Sequence, residues 1–190
     1  LKLTTGGTVY LTDASAVKDW TALKNAKINI AKTLTVSGTL STENGAAFTV
    51  GELTSARGIS LGDKKSASLL SFSERERPFG SQLFGNIPEI MAEAAVAALK
   101  YSPDFIDINM GCPAPKVAGN GGGSALMREP KTAAEIVSAV VKAVNVPVTV
   151  KMRTGYDNEN INAPLLAALC EEAGAPGINV HCRTRPQRYA

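Results

Sequence analysis

Eight side chains in the second half of this chain could do chemistry together: Gln82, Asn109, Cys112, Lys151, Arg153, His181, Arg183 and Arg185. Amide, thiol, ammonium, imidazole and guanidinium groups are all represented. Each sits in, at the end of, or just beyond a short apolar run. If those runs are parallel strands of one sheet, the eight groups converge on the face where the strands end. A mouth so rich in hydrogen-bond donors suits an anionic or electron-rich planar ligand.

The densest stretch is Asp107 to Met127, DINMGCPAPKVAGNGGGSALM. Cys112 lies between Gly111 and Pro113, outside the strand, which favours exposure and reactivity over packing. Glycines 119 and 121 to 123 allow close approach of backbone to a ligand or to nucleic acid. Lys151 interrupts an apolar strand, which is costly unless its ammonium reaches solvent or a ligand. His181, the one histidine, stands at a strand terminus ahead of Cys182-Arg183-Thr184-Arg185, an unusual place for a structural imidazole. Cys170 fits helix packing. A metal site is disfavoured, because adjacent His181 and Cys182 would point to opposite faces of a strand. A Cys-His hydrolase would leave Gln82, Asn109 and Lys151 without a task.

The elements that would carry these groups alternate β and α. Ser81 to Phe84 reads as a strand, and Pro88 opens a helix to Leu99. Asp104 to Asn109 is the next strand. Pro130 opens a helix whose Ala133, Ile136, Val137, Val140, Val141 and Val144 recur at helical spacing. Val146 to Lys151, the helix Asn162 to Ala173, and the strand Gly177 to His181 follow. With a weaker strand at Glu52-Leu53-Thr54, the step between strand centres is about 32 residues, the repeat of a (β/α)8 barrel of about 250 residues. About five of its eight strands would be present. A doubly wound five-stranded sheet is the competing architecture, though no early glycine-rich βα turn favours it.

Residues 1–50 have a different character. They hold ten threonines and no cysteine, and helix signals are confined to Ser15 to Asn25. Thr33 to Leu40 alternates polar and apolar residues and turns at Glu43-Asn44-Gly45 into Ala47 to Val50, a hairpin-like β pattern. The chain therefore divides into a Thr-rich β-like segment, 1–50, and a β/α domain, 51–190.

Composition narrows the class. A chain of 190 residues that is 44% hydrophobic can build a sizeable core, and no apolar run spans a membrane. The net charge of +3 permits a polyanionic partner without demanding one. Three cysteines without paired spacing argue for a reducing compartment, the cytoplasm. Glu74-Arg75-Glu76-Arg77 is self-neutralising and reads as a solvated loop.

Taken as a set, Asp107-Ile-Asn-Met-Gly-Cys-Pro with Lys116-Val117, Gly-Gly-Ser-Ala-Leu-Met, Pro147-Val-Thr-Val-Lys-Met-Arg153 and Val180-His-Cys-Arg-Thr-Arg185 resemble the tRNA-dihydrouridine synthases, the bacterial B-type branch above all. The resemblance covers residues 51–190. It implies an FMN-binding TIM barrel that reduces uridine in tRNA to 5,6-dihydrouridine, with NADPH as reductant. It also implies that Gln82, Lys151 and His181 contact the flavin, that Cys112 is the proton donor, and that Asn109 orients the uracil. Lys116, Arg153, Arg183 and Arg185 would meet RNA or phosphate. The family's opening Pro-Met-Ala-Gly strand has no match in residues 1–50, so the chain reads as an internal piece of such a barrel joined to the Thr-rich segment. Two other readings stay open: an FMN barrel acting on a free pyrimidine, as dihydroorotate dehydrogenases do, and a non-enzymatic interaction protein defined by the β segment.

Overall fold

A computed structural model of the chain describes residues 49–187 continuously and, before them, the backbone of seven short strands. The chain forms two compact units, Leu1–Thr49 and Val50–Ala190.

The strands of the first unit are β1 (Lys2–Thr5), β2 (Thr8–Leu11), β3 (Ser15–Val17), β4 (Asp19–Ala22), β5 (Lys27–Ile30), β6 (Leu34–Val36) and β7 (Leu40–Thr42). Each pairs in parallel with the strand three along: β1 with β4 and β4 with β7, β2 with β5, β3 with β6. Partners lie 17 to 20 residues apart, as in Lys2 opposite Asp19 and Trp20 opposite Leu40. This is the topology of a parallel β-solenoid with three strands per coil, a repeat in which each coil pairs with its neighbours. It corrects two expectations. The alternation at Thr33 to Leu40 marks the strand β6, yet β6 pairs in parallel with β3 and forms no hairpin with the segment ending at Val50. The helix signals at Ser15 to Asn25 give way to β3 and β4, because pairing along a sheet outweighs weak local propensity.

The second unit is built on a parallel sheet. Its strands are β8 (Thr49–Val50), β9 (Thr54–Ser55), β10 (Phe79–Phe84), β11 (Phe105–Met110), β12 (Val148–Gly155) and β13 (Gly177–Thr184). From β10 the order runs β10, β11, β12, β13 without reversal, with β8 and β9 on the other edge of β10. A doubly wound sheet reverses its order at a switch point; a barrel does not. The helices α3 (Pro88–Ala98), α5 (Pro130–Ala143) and α6 (Ala163–Glu172) pack side by side on one face, α3 against α5 and α5 against α6. The unit is a partial (β/α)8 barrel. Short helices α1 (Ala56–Ser60), α2 (Lys64–Ser68) and α4 (Pro115–Ala118) complete it.

Why these residues form these elements is largely local. Proline stands in the first turn of α3, α5 and α6, where its missing N–H costs nothing. Asp63 caps α2 by accepting from the Lys65 and Ser66 amides. The strands bury Leu83, Ile106, Ile108, Met110, Val148, Val150 and Met152 against Met91, Ala95, Ile136, Val137, Val140 and Leu166 of the helices. The Glu74 to Arg77 block is a solvated turn, as expected, with added order: Ser73 caps it, and Arg77 pairs with Glu74 at 2.7 Å and Asp104 at 3.0 Å.

Candidate active site

Because side chains alternate along a strand, the residues between those core positions face the other way. On that inner face stand Gln82, Asp107, Asn109, Thr149, Lys151, Arg153 and His181. Gln82 pairs with Asp107 across β10 and β11, Asn109 with Lys151 across β11 and β12, and Arg153 with His181 across β12 and β13. One sheet thus has an apolar face under helices and a polar face at its centre.

The polar face is hydrogen-bonded in series. The Thr149 hydroxyl donates to Asp107 Oδ1 at 2.6 Å, and Gln82 Nε2 donates to Asp107 Oδ2 at 2.6 Å. Asn109 Nδ2 donates to Gln82 Oε1 at 3.1 Å. Asn109 Oδ1 then accepts from the backbone N–H groups of Gly111 at 3.2 Å and Cys112 at 2.9 Å, an Asx turn that shapes the strand exit.

Two further clamps hold the Cys112 loop. Arg153, only 5% exposed, donates from Nε to the Gly111 carbonyl at 2.7 Å and from Nη1 to the Thr184 carbonyl at 3.1 Å. The Cys112 carbonyl accepts from the Ser124 amide at 3.0 Å. The glycine run makes that last contact possible. Gly123 has φ +55°, and a Cβ there would lie 2.7 Å from the Cys112 carbonyl oxygen and 2.8 Å from Val117. The thiol of Cys112 stays half-buried at the end of this scaffold, while Cys170 is packed in α6 with its thiol pushed up to about 11 by burial.

Electrostatically the face is divided. Burial raises the Asp107 pKa, against the opposing pull of the Thr149 and Gln82 hydrogen bonds and of Lys151. Burial lowers the Lys151 pKa, with Arg153 adding to the effect and Asp107 resisting it. His181 is held below its usual value, first by burial, then by Arg153, Lys151 and Arg183. The β12 and β13 side is therefore a cation cluster suited to an anion.

The sheet brings together Gln82, Asn109, Cys112, Lys151 and His181 as the sequence leads one to expect. Lys116 is exposed on α4, just past the Cys112 turn. Arg183 is half-buried beside His181. Arg185 donates from Nη1 to the Tyr156 hydroxyl at 2.9 Å and lies over that ring at 5.1 Å, so part of its guanidinium is engaged within the chain. The expected RNA contact of Arg153 needs correction, because burial and two carbonyl partners make it an internal clamp. Asp107 and Thr149 were not singled out by sequence reasoning, since each reads as an ordinary polar residue in a strand. A cavity of about 340 Å³ on the far side of the glycine loop, lined by Arg57, Phe84, Asn86 and Asn120, was likewise not anticipated. Among the described residues no cluster of His, Cys, Asp and Glu could hold a metal ion.

The family model for dihydrouridine synthase matches residues 33–190, beginning earlier than the 51–190 of the resemblance. The chain belongs to the dihydrouridine synthase family. It is 42% identical over 145 residues to the tRNA-dihydrouridine synthase B of Xanthomonas axonopodis pv. citri, covering 76% of this chain and 44% of that protein. It is 46% identical over 145 residues to a probable tRNA-dihydrouridine synthase of Rhizobium leguminosarum bv. phaseoli, covering 76% and 45%. Against the probable tRNA-dihydrouridine synthase 1 of Synechocystis it is 46% identical over 121 residues, covering 64% and 34%. The aligned part spans less than half the length of each of these curated relatives, from 34% to 45%.

Proposed function

We propose that this chain carries the proton-donor side and part of the flavin side of an enzyme that reduces uridine in tRNA to 5,6-dihydrouridine, with FMN as cofactor and NADPH as reductant. One observation supports this reading above others. The half-buried turn bearing Cys112 is pinned through Asn109 to the same polar face that carries Gln82, Lys151 and the cation cluster around His181.

The donor set fits an isoalloxazine. Gln82 spends one N–H on Asp107 and keeps another, and Lys151 is a half-buried ammonium without a direct ion pair among the described contacts. Gln82 and Lys151 would hold the ring's nitrogen and oxygen edge, with His181 toward the phosphate side. Bound there, a reduced flavin supplies the hydride that uracil C6 accepts. Cys112 gives its proton to C5, so that the C5=C6 double bond is reduced by one hydride and one proton. The thiol must be protonated at that moment, as for any general acid. Asn109 retains one N–H beyond its bond to Gln82, enough to donate to a uracil carbonyl. The target base must leave its stack to reach this face. Lys116, Arg183 and the remaining donors of Arg185 are the surface groups for RNA phosphates, with salt-dependent binding. The enzyme would work in the cytoplasm, where tRNA is found.

Two measurements test the proposal. Titrating the purified chain with FMN should shift the flavin absorption spectrum; a folded chain indifferent to FMN would overturn the flavin reading. Cys112→Ala should leave that spectral shift intact and slow tRNA-uridine reduction by about 10²- to 10⁴-fold, the usual contribution of a positioned acid. Undiminished reduction would remove Cys112 from the role.

A further inference from the structure

We propose that Asp107 is a positioning residue: it sets the direction of the hydrogen-bond chain Asp107–Gln82–Asn109, and so holds the backbone of the Cys112 turn. Asp107 is 3% exposed, and its carboxylate takes hydrogen bonds from Gln82 and Thr149, neither of them in the turn. Its influence passes through two amides.

The polarity of this relay is fixed from both ends. An ionised carboxylate can only accept, so Gln82 must turn its NH₂ toward Asp107, where Nε2 sits 2.6 Å from Oδ2. That leaves Gln82 Oε1 facing Asn109, which must answer with its own NH₂. Asn109 Oδ1 is thereby turned toward Gly111 and Cys112, whose N–H groups can only donate. Acceptor at one end and donors at the other demand the same orientation of both amides. Thr149, donating to the second carboxylate oxygen, keeps Asp107 from rotating away. Without Asp107 only the turn's own N–H groups orient the pair. Gln82 could then flip and set its NH₂ against that of Asn109, and an Asn109 that flips in answer would present NH₂ to two N–H groups and release the turn. A buried acid on a catalytic face is thus used here for direction, which a hydrophobic residue of the same size could not supply.

That the turn's cysteine is an acid rests on the function proposed above, but the relay does not, and it can be measured on the ligand-free chain. Amide hydrogen exchange at Gly111 and Cys112 reads the turn directly. Asp107→Leu fills the same space without an acceptor and should speed exchange at these two amides by about tenfold, leaving Val137 and Val150 unchanged. Asp107→Asn should retain protection, because its amide oxygen can face Gln82 while its NH₂ donates to Thr149. Equal exchange in the Leu variant and the parent chain would overturn the proposal, as would loss of protection in the Asn variant. If Asp107→Leu does not fold, Gln82→Met cuts the relay at its middle. It should release the same two amides, and their continued protection would overturn the proposal as firmly. A chain that behaves this way but never binds FMN would separate failure of the function from failure of the relay.

Discussion

The exits of β11 and β13 lie two strands apart in one sheet and are built on opposite principles. At the β11 exit nearly every backbone group has a partner supplied by the chain: Asn109 takes the Gly111 and Cys112 N–H groups, Arg153 and Ser124 take their carbonyls. On the β12 and β13 side, burial together with Arg153, Lys151 and Arg183 holds the proton off His181, and Val180 is 39% exposed. One end is finished before any ligand arrives. The other gains from the arrival of an anion, which would relieve its repulsion. On the function proposed above, a site that combines them would keep its acid in place while leaving cofactor affinity to charge.

The sharpest way to break this contrast is Arg153→Met, because Arg153 is common to both ends. It would strand the Gly111 and Thr184 carbonyls, and a loss of about 3 kcal/mol in unfolding free energy by denaturant titration is expected. A change within a few tenths would mean that the clamp contributes nothing. A smaller effect, confined to the β11 side, should come from Gly123→Ala. Left-handed backbone and a backbone oxygen at 2.7 Å give it no escape, so about 2 kcal/mol should be lost. Gly121→Ala, at φ +82° but facing the movable Asn86 side chain at 2.8 Å, should cost about half as much. Equal costs would show that contact with the Cys112 loop is not what matters.

The smallest effect belongs to the β13 side. As the chain has one histidine, its NMR titration is unambiguous, and the midpoint should fall below the ordinary 6.5. With the folded pKa lowered, the unfolded state binds the proton more readily in the window between the two values. Stability should therefore fall as pH drops from 6.5 through that window and level off below the folded midpoint. His181→Gln should flatten this slope, while inorganic phosphate or Lys151→Met should raise the midpoint toward 6.5. A midpoint unmoved by either would argue against a cation cluster awaiting an anion.

Much of the barrel piece was legible because its signals are local. Proline at helix starts, apolar runs of strand length and the recurrence from Ala133 to Val144 each report on a few neighbouring residues, and the elements fall where those signals put them. The candidate groups on the polar face were legible for a related reason. Parallel strands run one way, so alternate residues converge on one face without any knowledge of contacts, although Lys151 and His181 lie inside β12 and β13 and not at their ends. The solenoid was not legible in this way. Its alternating segments announce strands, but a strand's partner lies 17 to 20 residues away and nothing in a local window names it.

The sequence by itself determined which residues could react, that they gather on one face of a parallel sheet, and which family they resemble. The tertiary structure alone decided their offices. Gln82 lies 25 residues from Asp107, Thr149 lies 42 away, and Arg153 reaches back 42 residues to Gly111. Only when β10, β11 and β12 lie side by side does a strand aspartate become the anchor of a relay and an expected RNA contact become a buried clamp. A hydrogen bond has a direction and a length, and neither exists until the sheet has set the distance between its partners.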